Sequence, residues 1–511
     1  MSGLGALPAS SREHPAGREH PIGREHPIGR EQVVAEIARE VVARLQAQLA
    51  AGPEKAPAKE PSPIPAPRPG HGVFATVDEA VAAAARAQVR VAAMSLEERG
   101  KTVAVIRRLC EEHKRDLAER ELAETGIGRL DHKVQKLEVV RRVLGVEAMR
   151  IDARSDATGL CVIERAPWGV VGMVLPATHS APTMASNAIN VLAAGNTAVF
   201  SPHPAAWKVA AHALQLFNRE IERETGVADV LTTVVEPSIQ SAEAVFQHPG
   251  VALLCVTGGP AVVQAAMKAG KRVIAAGPGN PPVVVDETAC PDAAAKATIE
   301  GAAFDNNLLC IGEKEVFVVA PAMDGFMASM RKAGAVELDR RAIERLTEAA
   351  FTFEGEGKGC GRAHLKRDLV GRDPSVLAAA AGVRVPRGTE LLFGETEASH
   401  AFVQEEQMMP FLPIVRVPDF DAAVEAALQA EHGYRHTAVI HSRDVSRVTR
   451  MARALNTTLF VQNAPSTASL GVNGPGYLSF SIATPTGEGI TTPLTFTRER
   501  QLTVGGALRF V

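Results

Sequence analysis

The chain is 511 residues long, 46% hydrophobic and 22% charged, with a net charge of -3. That is enough chain for two or three domains of ordinary globular composition, and so small a charge gives no field for nucleic acid or an anionic membrane. Six cysteines without a CxxC pair or a Cys/His cluster argue against a zinc site and a disulfide framework and suit a reducing compartment. No run reaches the ~18 apolar residues of a membrane helix, and no charged-then-apolar start marks a secretory signal, so a cytoplasmic location is expected.

Residues 1–29 contain a repeat of Arg-Glu-His-Pro-x-Gly, at Arg12–Gly17, Arg18–Gly23 and Arg24–Gly29. A Pro and a Gly in each unit with few apolar side chains cannot build a core, so a disordered tail is expected; its histidines could bind metal, but the solvated reading is preferred. In residues 30–50, Val33, Ile37, Val41, Leu45 and Leu49 form one stripe, with Arg39, Glu40, Arg44 and Gln46 opposite. This predicts an amphipathic helix that needs a partner for its apolar face. Residues 51–72 hold Pro53, Pro57, Pro61, Pro63, Pro65, Pro67 and Pro69 and read as an extended, semi-rigid linker.

Helical patterns follow at Val77–Ala93 and Ser95–Glu124. Strands are then expected at Cys161–Glu164, Gly169–Leu175, Thr197–Phe200, Val230–Val235 and Val251–Val256, with helices at Thr183–Ala194, Ala205–Glu224 and Ile239–Gln247. Such alternation predicts an α/β fold with a doubly wound, mostly parallel sheet over 73–281. A second series, at Pro282–Val285, Glu315–Val319, Ile414–Val417, Thr437–Ile440 and Thr458–Val461, predicts a second α/β domain over 282–484.

Cys310 lies between the Ala-rich helical run Asp292–Ala303 and the strand Glu315–Val319. A thiol on such a loop reads either as a nucleophile or as a small buried hydrophobe, and base rates favour the second. Cys110, Cys161, Cys255, Cys290 and Cys360 are given the buried reading. His432 and His436 have the spacing of a helical metal pair, but Gly433 and the strand pattern from Thr437 oppose a helix there, so His436 reads as pocket-lining or structural and no metal is expected.

The segment Asp305-Asn306-Asn307-Leu308-Leu309-Cys310-Ile311-Gly312-Glu313-Lys314-Glu315 resembles the catalytic loop of CoA-acylating aldehyde dehydrogenases. Gly277–Asp286, Glu431–Thr437 and Pro485–Gly489 resemble the same family in the same order, from about Phe74 onward. The branch most resembled is the propionaldehyde or acetaldehyde dehydrogenase of bacterial microcompartments. This implies an aldehyde dehydrogenase-like fold with an oligomerisation flap joining residues 150–165 to the C-terminal segment 485–511, a homodimer or homotetramer, and NAD and coenzyme A as cofactor and co-substrate. It also implies that Cys310 attacks the aldehyde, its own N–H forming half of an oxyanion hole. In Pro176-Ala177-Thr178-His179-Ser180-Ala181-Pro182, His179 occupies the place of an oxyanion-hole Asn; an oxyanion donor is preferred over a His held by turn contacts.

No GxGxxG occurs. By resemblance, Thr257-Gly258-Gly259 ahead of Pro260 is the pyrophosphate loop, where a plain strand-to-helix turn is the default reading; Ser201, His203 and Pro204 line the adenosine side, and Glu406 holds the nicotinamide ribose. Hydrolytic relatives carry a water-activating Glu in a Glu-Leu-Gly-Gly-Lys segment, whereas the matching stretch Ala275–Asn280 contains no carboxylate. The implied activity is NAD-dependent oxidation of a short aliphatic aldehyde to acyl-CoA. A hydrolytic dehydrogenase and an inactive shell-associated protein are the alternatives. Residues 30–50 resemble an encapsulation peptide that binds shell or core proteins of a microcompartment, with the enzyme in its lumen.

Overall fold

The computed structural model describes residues 67–354, 362–472 and 474–506, so the repeat, the amphipathic helix and Cys360 lie outside the described residues. The first two helices are set by their caps: Thr76 with Glu79 starts Val77–Ala93, and Ser95 with Glu98 starts Leu96–Thr125, each in a capping box, while left-handed Gly126 ends the second.

Six parallel strands form the first sheet, in the order Val73–Phe74, Leu231–Val234, Thr197–Pro202, Val170–Leu175, Leu253–Thr257, Arg272–Ala276. Strand alternation feeds two cores. Val171, Met173 and Leu175 pack with the helices Leu96–Thr125, Ser180–Ala193 and Trp207–Thr225, while Val170 and Val174 pack with Val77–Ala93, Ile239–Gln247 and Pro260–Met267. Chain order reverses at Val170–Leu175, so the turns after Leu175 and after Thr257 open side by side at a topological switch point, where α/β sheets bind ligands.

The second sheet has seven parallel strands, in the order Val336–Glu337, Leu392–Thr396, Phe411–Val417, Glu315–Val319, Pro282–Val285, Thr437–His441, Leu459–Gln462. Val283, Val285, Val316 and Val318 face the helices Pro291–Ala303 and Ala320–Lys332, and Val284, Phe317 and Val319 face Phe420–Glu431 and Val445–Leu455. A third sheet pairs Gly159–Pro167 with both Asp152–Asp156 and Thr497–Gly505, antiparallel.

Several expectations are corrected. Arg68–Gly72, read as linker, is attached to the body: Gln215 donates to Arg68 and Gly70 carbonyls, Asn218 to that of His71, and Thr233 N–H to that of Gly72 at 2.8 Å. Residues Leu478–Ala483, placed in the second domain, pack into the first core. Arg272–Ala276, where no strand was expected, is an edge strand, its Ala275 N–H held by Thr486 at 2.9 Å. Cys161 is only partly buried and Cys290 is exposed as the residue capping Pro291–Ala303, unlike buried Cys110 and Cys255. The helix Leu130–Glu138 was not foreseen, because its His132, Lys133 and Lys136 look like a solvated face until a distant partner is supplied.

Candidate active site

Asp305, Asn306 and Asn307 all have left-handed backbone, with φ of 49°, 56° and 65°. Asn and Asp tolerate that region better than other side chains, which is the physical reason for this triplet. Each side chain then fixes the turn. Asn306 donates to the Gly371 carbonyl and to Asp373, both at 3.0 Å, and Asn307 donates to the Ala302 and Glu313 carbonyls, both at 2.9 Å. Lys314, fully buried, donates to Asn307 Oδ1 at 2.6 Å, to the Asn307 carbonyl at 2.9 Å and to the Leu309 carbonyl at 3.0 Å. The turn therefore presents Cys310 from a fully anchored loop.

Cys310 keeps partial solvent exposure. Burial, then the neighbouring Glu406 charge, push its thiol up to about 12, against the pull of Lys314 and Lys136. The resting residue is a thiol. Burial also raises Glu406 to about 7, although Lys314 and the Gly279 N–H favour its charge. Gly279 lies between these parts: a Cβ there would meet the Cys310 carbonyl oxygen at 2.6 Å and the His436 ring at 2.9 Å. His436 is buried, burial and Lys314 lower it to about 4, and its Nε2 has no hydrogen-bond partner. His432 ends a helix in left-handed conformation and points instead to the Gln404 carbonyl at 2.7 Å, so the two histidines share no helical face. Among the described residues no group of His, Cys, Asp and Glu is arranged to hold a metal.

His179 caps the helix Ser180–Ala193 with its backbone carbonyl, which accepts from Thr183 N–H and Oγ1. Burial and the charges of Lys136 and Lys133 pull its pKa well down, so the ring is neutral, and its Nδ1 is buried without a partner. A neutral imidazole with one N–H is chemically able to donate to an oxyanion. Lys136 acts electrostatically on both His179 and Cys310.

Thr257 ends its strand with Oγ1 bonded to Ser481 Oγ at 2.7 Å, which in turn donates to Asn187 at 3.0 Å. Gly259 caps Pro260–Met267 with no side-chain cap, and a Cβ there would meet nothing within 4 Å. Open helix N–H groups approached over a bare glycine fit a pyrophosphate. Ser201 is buried near the end of Thr197–Pro202, on the far side of Val170–Leu175 from Thr257. His203 Nδ1 accepts the Ala205 N–H at 3.1 Å, its backbone N–H donates to Leu175, and Pro204 opens a short turn. These three lie at the carboxyl end of the first sheet and are not hydrogen-bonded to the Cys310 loop. Sequence reasoning missed Lys314, Lys133, Lys136 and Glu121. A lysine inside a dense acidic motif was the one available signal, for Lys314.

A model described as the aldehyde dehydrogenase family matches residues 71–338. The acetaldehyde dehydrogenase (acetylating) EutE of Salmonella typhimurium is 45% identical over 443 residues, 86% of this chain and 94% of that protein. Among solved structures, a propionaldehyde dehydrogenase from the Clostridium phytofermentans fucose utilisation bacterial microcompartment aligns with TM-score 0.83 and 40% identity, covering 86% of this chain and 99% of its own. The Rhodopseudomonas palustris propionaldehyde dehydrogenase with bound propionyl-CoA aligns with TM-score 0.82 and 40% identity, covering 85% and 96%. The chain belongs to the aldehyde dehydrogenase family, and within it to the CoA-acylating branch.

Proposed function

We propose that this protein oxidises a short aliphatic aldehyde, propionaldehyde or acetaldehyde, to its acyl-CoA with NAD as acceptor. The observation that carries the reading is an anchored cysteine loop beside a Gly277–Asn280 connection that contains no carboxylate. Cys310 attacks the aldehyde carbon to give a thiohemiacetal. Its backbone N–H and His179 are the donors assigned to the oxyanion. The nicotinamide, when bound, supplies the hydride acceptor. Thr257, Gly258 and Gly259 are the residues assigned to the pyrophosphate, Ser201, His203 and Pro204 to the adenosine side, and Glu406 to the nicotinamide ribose. Loss of hydride leaves a thioester on Cys310, and the CoA thiol displaces it. One aldehyde, one CoA and one NAD yield acyl-CoA, NADH and a proton.

Water is the competing acceptor, and a positioned general base typically speeds such attack ~10²–10⁴-fold. Here the Ala275–Asn280 stretch has no carboxylate, and the side chain of its Asn280 is engaged elsewhere, donating to the Val403 and Ala430 carbonyls, both at 2.9 Å. Without CoA, one rapid equivalent of NADH per active site followed by very slow turnover is expected; with CoA, steady acyl-CoA formation. Sustained CoA-independent release of propionate or acetate at a comparable rate would establish the hydrolytic reading instead. The intact Cys310 loop speaks against an inactive shell protein.

The N-terminal module extends the proposal. Residues 30–50 are assigned to binding shell or core proteins of a microcompartment, with the enzyme working in its lumen. The sheet joining 152–156, 159–167 and 497–505 serves a homodimer or homotetramer. Its outer strand is exposed throughout, which supports that use.

A further inference from the structure

Four ionisable side chains that the chemistry above leaves unused are buried together beside the reactive loop. Glu121 lies on Leu96–Thr125, Lys133 and Lys136 on Leu130–Glu138, and Asp305 in the left-handed turn ahead of Cys310; each is 2% exposed or less. Lys133 Nζ donates to Glu121 at 3.0 Å and lies 3.8 Å from Asp305, and Lys136 donates to Asp305 through the same carboxylate oxygen. Two lysines and two carboxylates cancel. Buried ion pairs are weak sources of stability compared with well-packed apolar residues. Their attachments point elsewhere.

The second oxygen of Glu121 accepts the Ala181 N–H at 3.0 Å, in the first turn of the helix that His179 caps, and Lys136 reaches the Thr178 carbonyl at 3.5 Å. Asp305 accepts the Arg129 N–H at 2.7 Å, and its own N–H donates to His132 Nδ1 at 2.8 Å. Gly128 makes room for it, since a Cβ there would meet the Asp305 carboxylate at 2.3 Å. One cluster thus grips the His179 turn on one side and the Cys310 loop on the other.

We infer that Glu121, Lys133, Lys136 and Asp305 form a charge-balanced clasp that holds the His179 turn against the Cys310 loop and sets the electrostatic surroundings of the thiol. They are positioning residues for the reaction proposed above, on which this inference rests. Burial raises Asp305, but the two lysines outweigh it and keep the carboxylate ionised. Other charges near the cluster include Arg129 and Glu390, with His132 and His179, both pulled down by burial, as titratable neighbours; the charges facing the thiol, besides Lys136, are Glu406 and Lys314.

The test measures the thiolate itself, as the rate at which iodoacetamide alkylates the Cys310 peptide, followed by mass spectrometry so that other cysteines do not contribute. Asp305→Asn preserves shape and tolerates left-handed backbone while removing a negative charge, so alkylation should quicken, by about 3- to 10-fold. Lys136→Met removes a positive charge and should slow alkylation by about the same factor. The double variant restores neutrality and should return towards the parent rate, while kcat falls in both single variants with KM for NAD unchanged. If either single variant fails to fold, Glu121→Gln and Lys133→Met provide the same opposed pair. Shifts in the same direction, or none, would reduce the cluster to a purely structural role and overturn the inference. The readout is indifferent to the acyl acceptor, so it fails separately from the functional proposal.

Discussion

Gly279→Ala tests whether the nucleophile is placed by the backbone packed behind it. The added methyl would lie 2.6 Å from the Cys310 carbonyl oxygen, and ordinary contact begins near 3.4 Å, so something must yield by about 0.8 Å. The opposing atom is backbone of the nucleophile's own residue, and the loop is pinned by Lys314 and Asn307, so the displacement passes to the sulfur rather than to a flexible side chain. A misplacement of about 1 Å typically costs on the order of 10²-fold in rate, or about 2.7 kcal/mol of barrier. The assay is stopped-flow NADH absorbance with propionaldehyde and saturating NAD, read in the first turnover so that CoA transfer does not intervene. Gly325→Ala is the control, because a Cβ there would meet Pro291 only at an ordinary 3.7 Å, and it should leave the burst unchanged. A folded Gly279→Ala enzyme with a burst as fast as the parent would refute the idea that this contact positions the thiol.

Cys310→Ser substitutes a hydroxyl of far higher pKa; acylation should drop by orders of magnitude while NAD binding, followed by fluorescence titration, survives, and near-parent turnover would remove Cys310 from the mechanism. Because the thiol is pushed up to about 12, only its small thiolate fraction reacts, and that fraction grows as pH rises. Alkylation of Cys310 in the free enzyme should therefore climb about tenfold per pH unit from about pH 6 to about pH 9, and a plateau within that range would contradict the burial argument. Removing residues 1–66 should leave active enzyme that no longer co-purifies with a microcompartment shell. Removing 1–72 should in addition lower stability by about 1–3 kcal/mol in thermal melts, because the buried Thr233 N–H loses its acceptor on Gly72; equal melting of the two truncations would show that those contacts contribute nothing.

Local pattern was sufficient wherever a segment's fate depended on its own periodicity. The all-apolar strand Val170–Leu175 and the capped helix Val77–Ala93 are visible in the sequence, and so is the Asp305–Cys310 motif, because left-handed turns restrict residue type. The helix Leu130–Glu138 is a different case. Lys136 becomes buried because Asp305, some 170 residues later in the chain, neutralises it, and Lys133 is held between that carboxylate and Glu121; no window of sequence contains Asp305. The same holds for Leu478–Ala483, which reads as a tail of the second domain until Ser481 meets Asn187 and Thr257.

For this protein the sequence alone determined the residue types able to do the chemistry, since a thiol, glycine turns and a missing carboxylate are properties of composition at fixed positions. Tertiary structure decided how they are held: which charges offset one another, that Gly279 touches the backbone of Cys310, and that the thiol rests protonated. Those outcomes depend on desolvation and on distances between segments far apart in the chain, and electrostatic energies become large only once water has been excluded from between them.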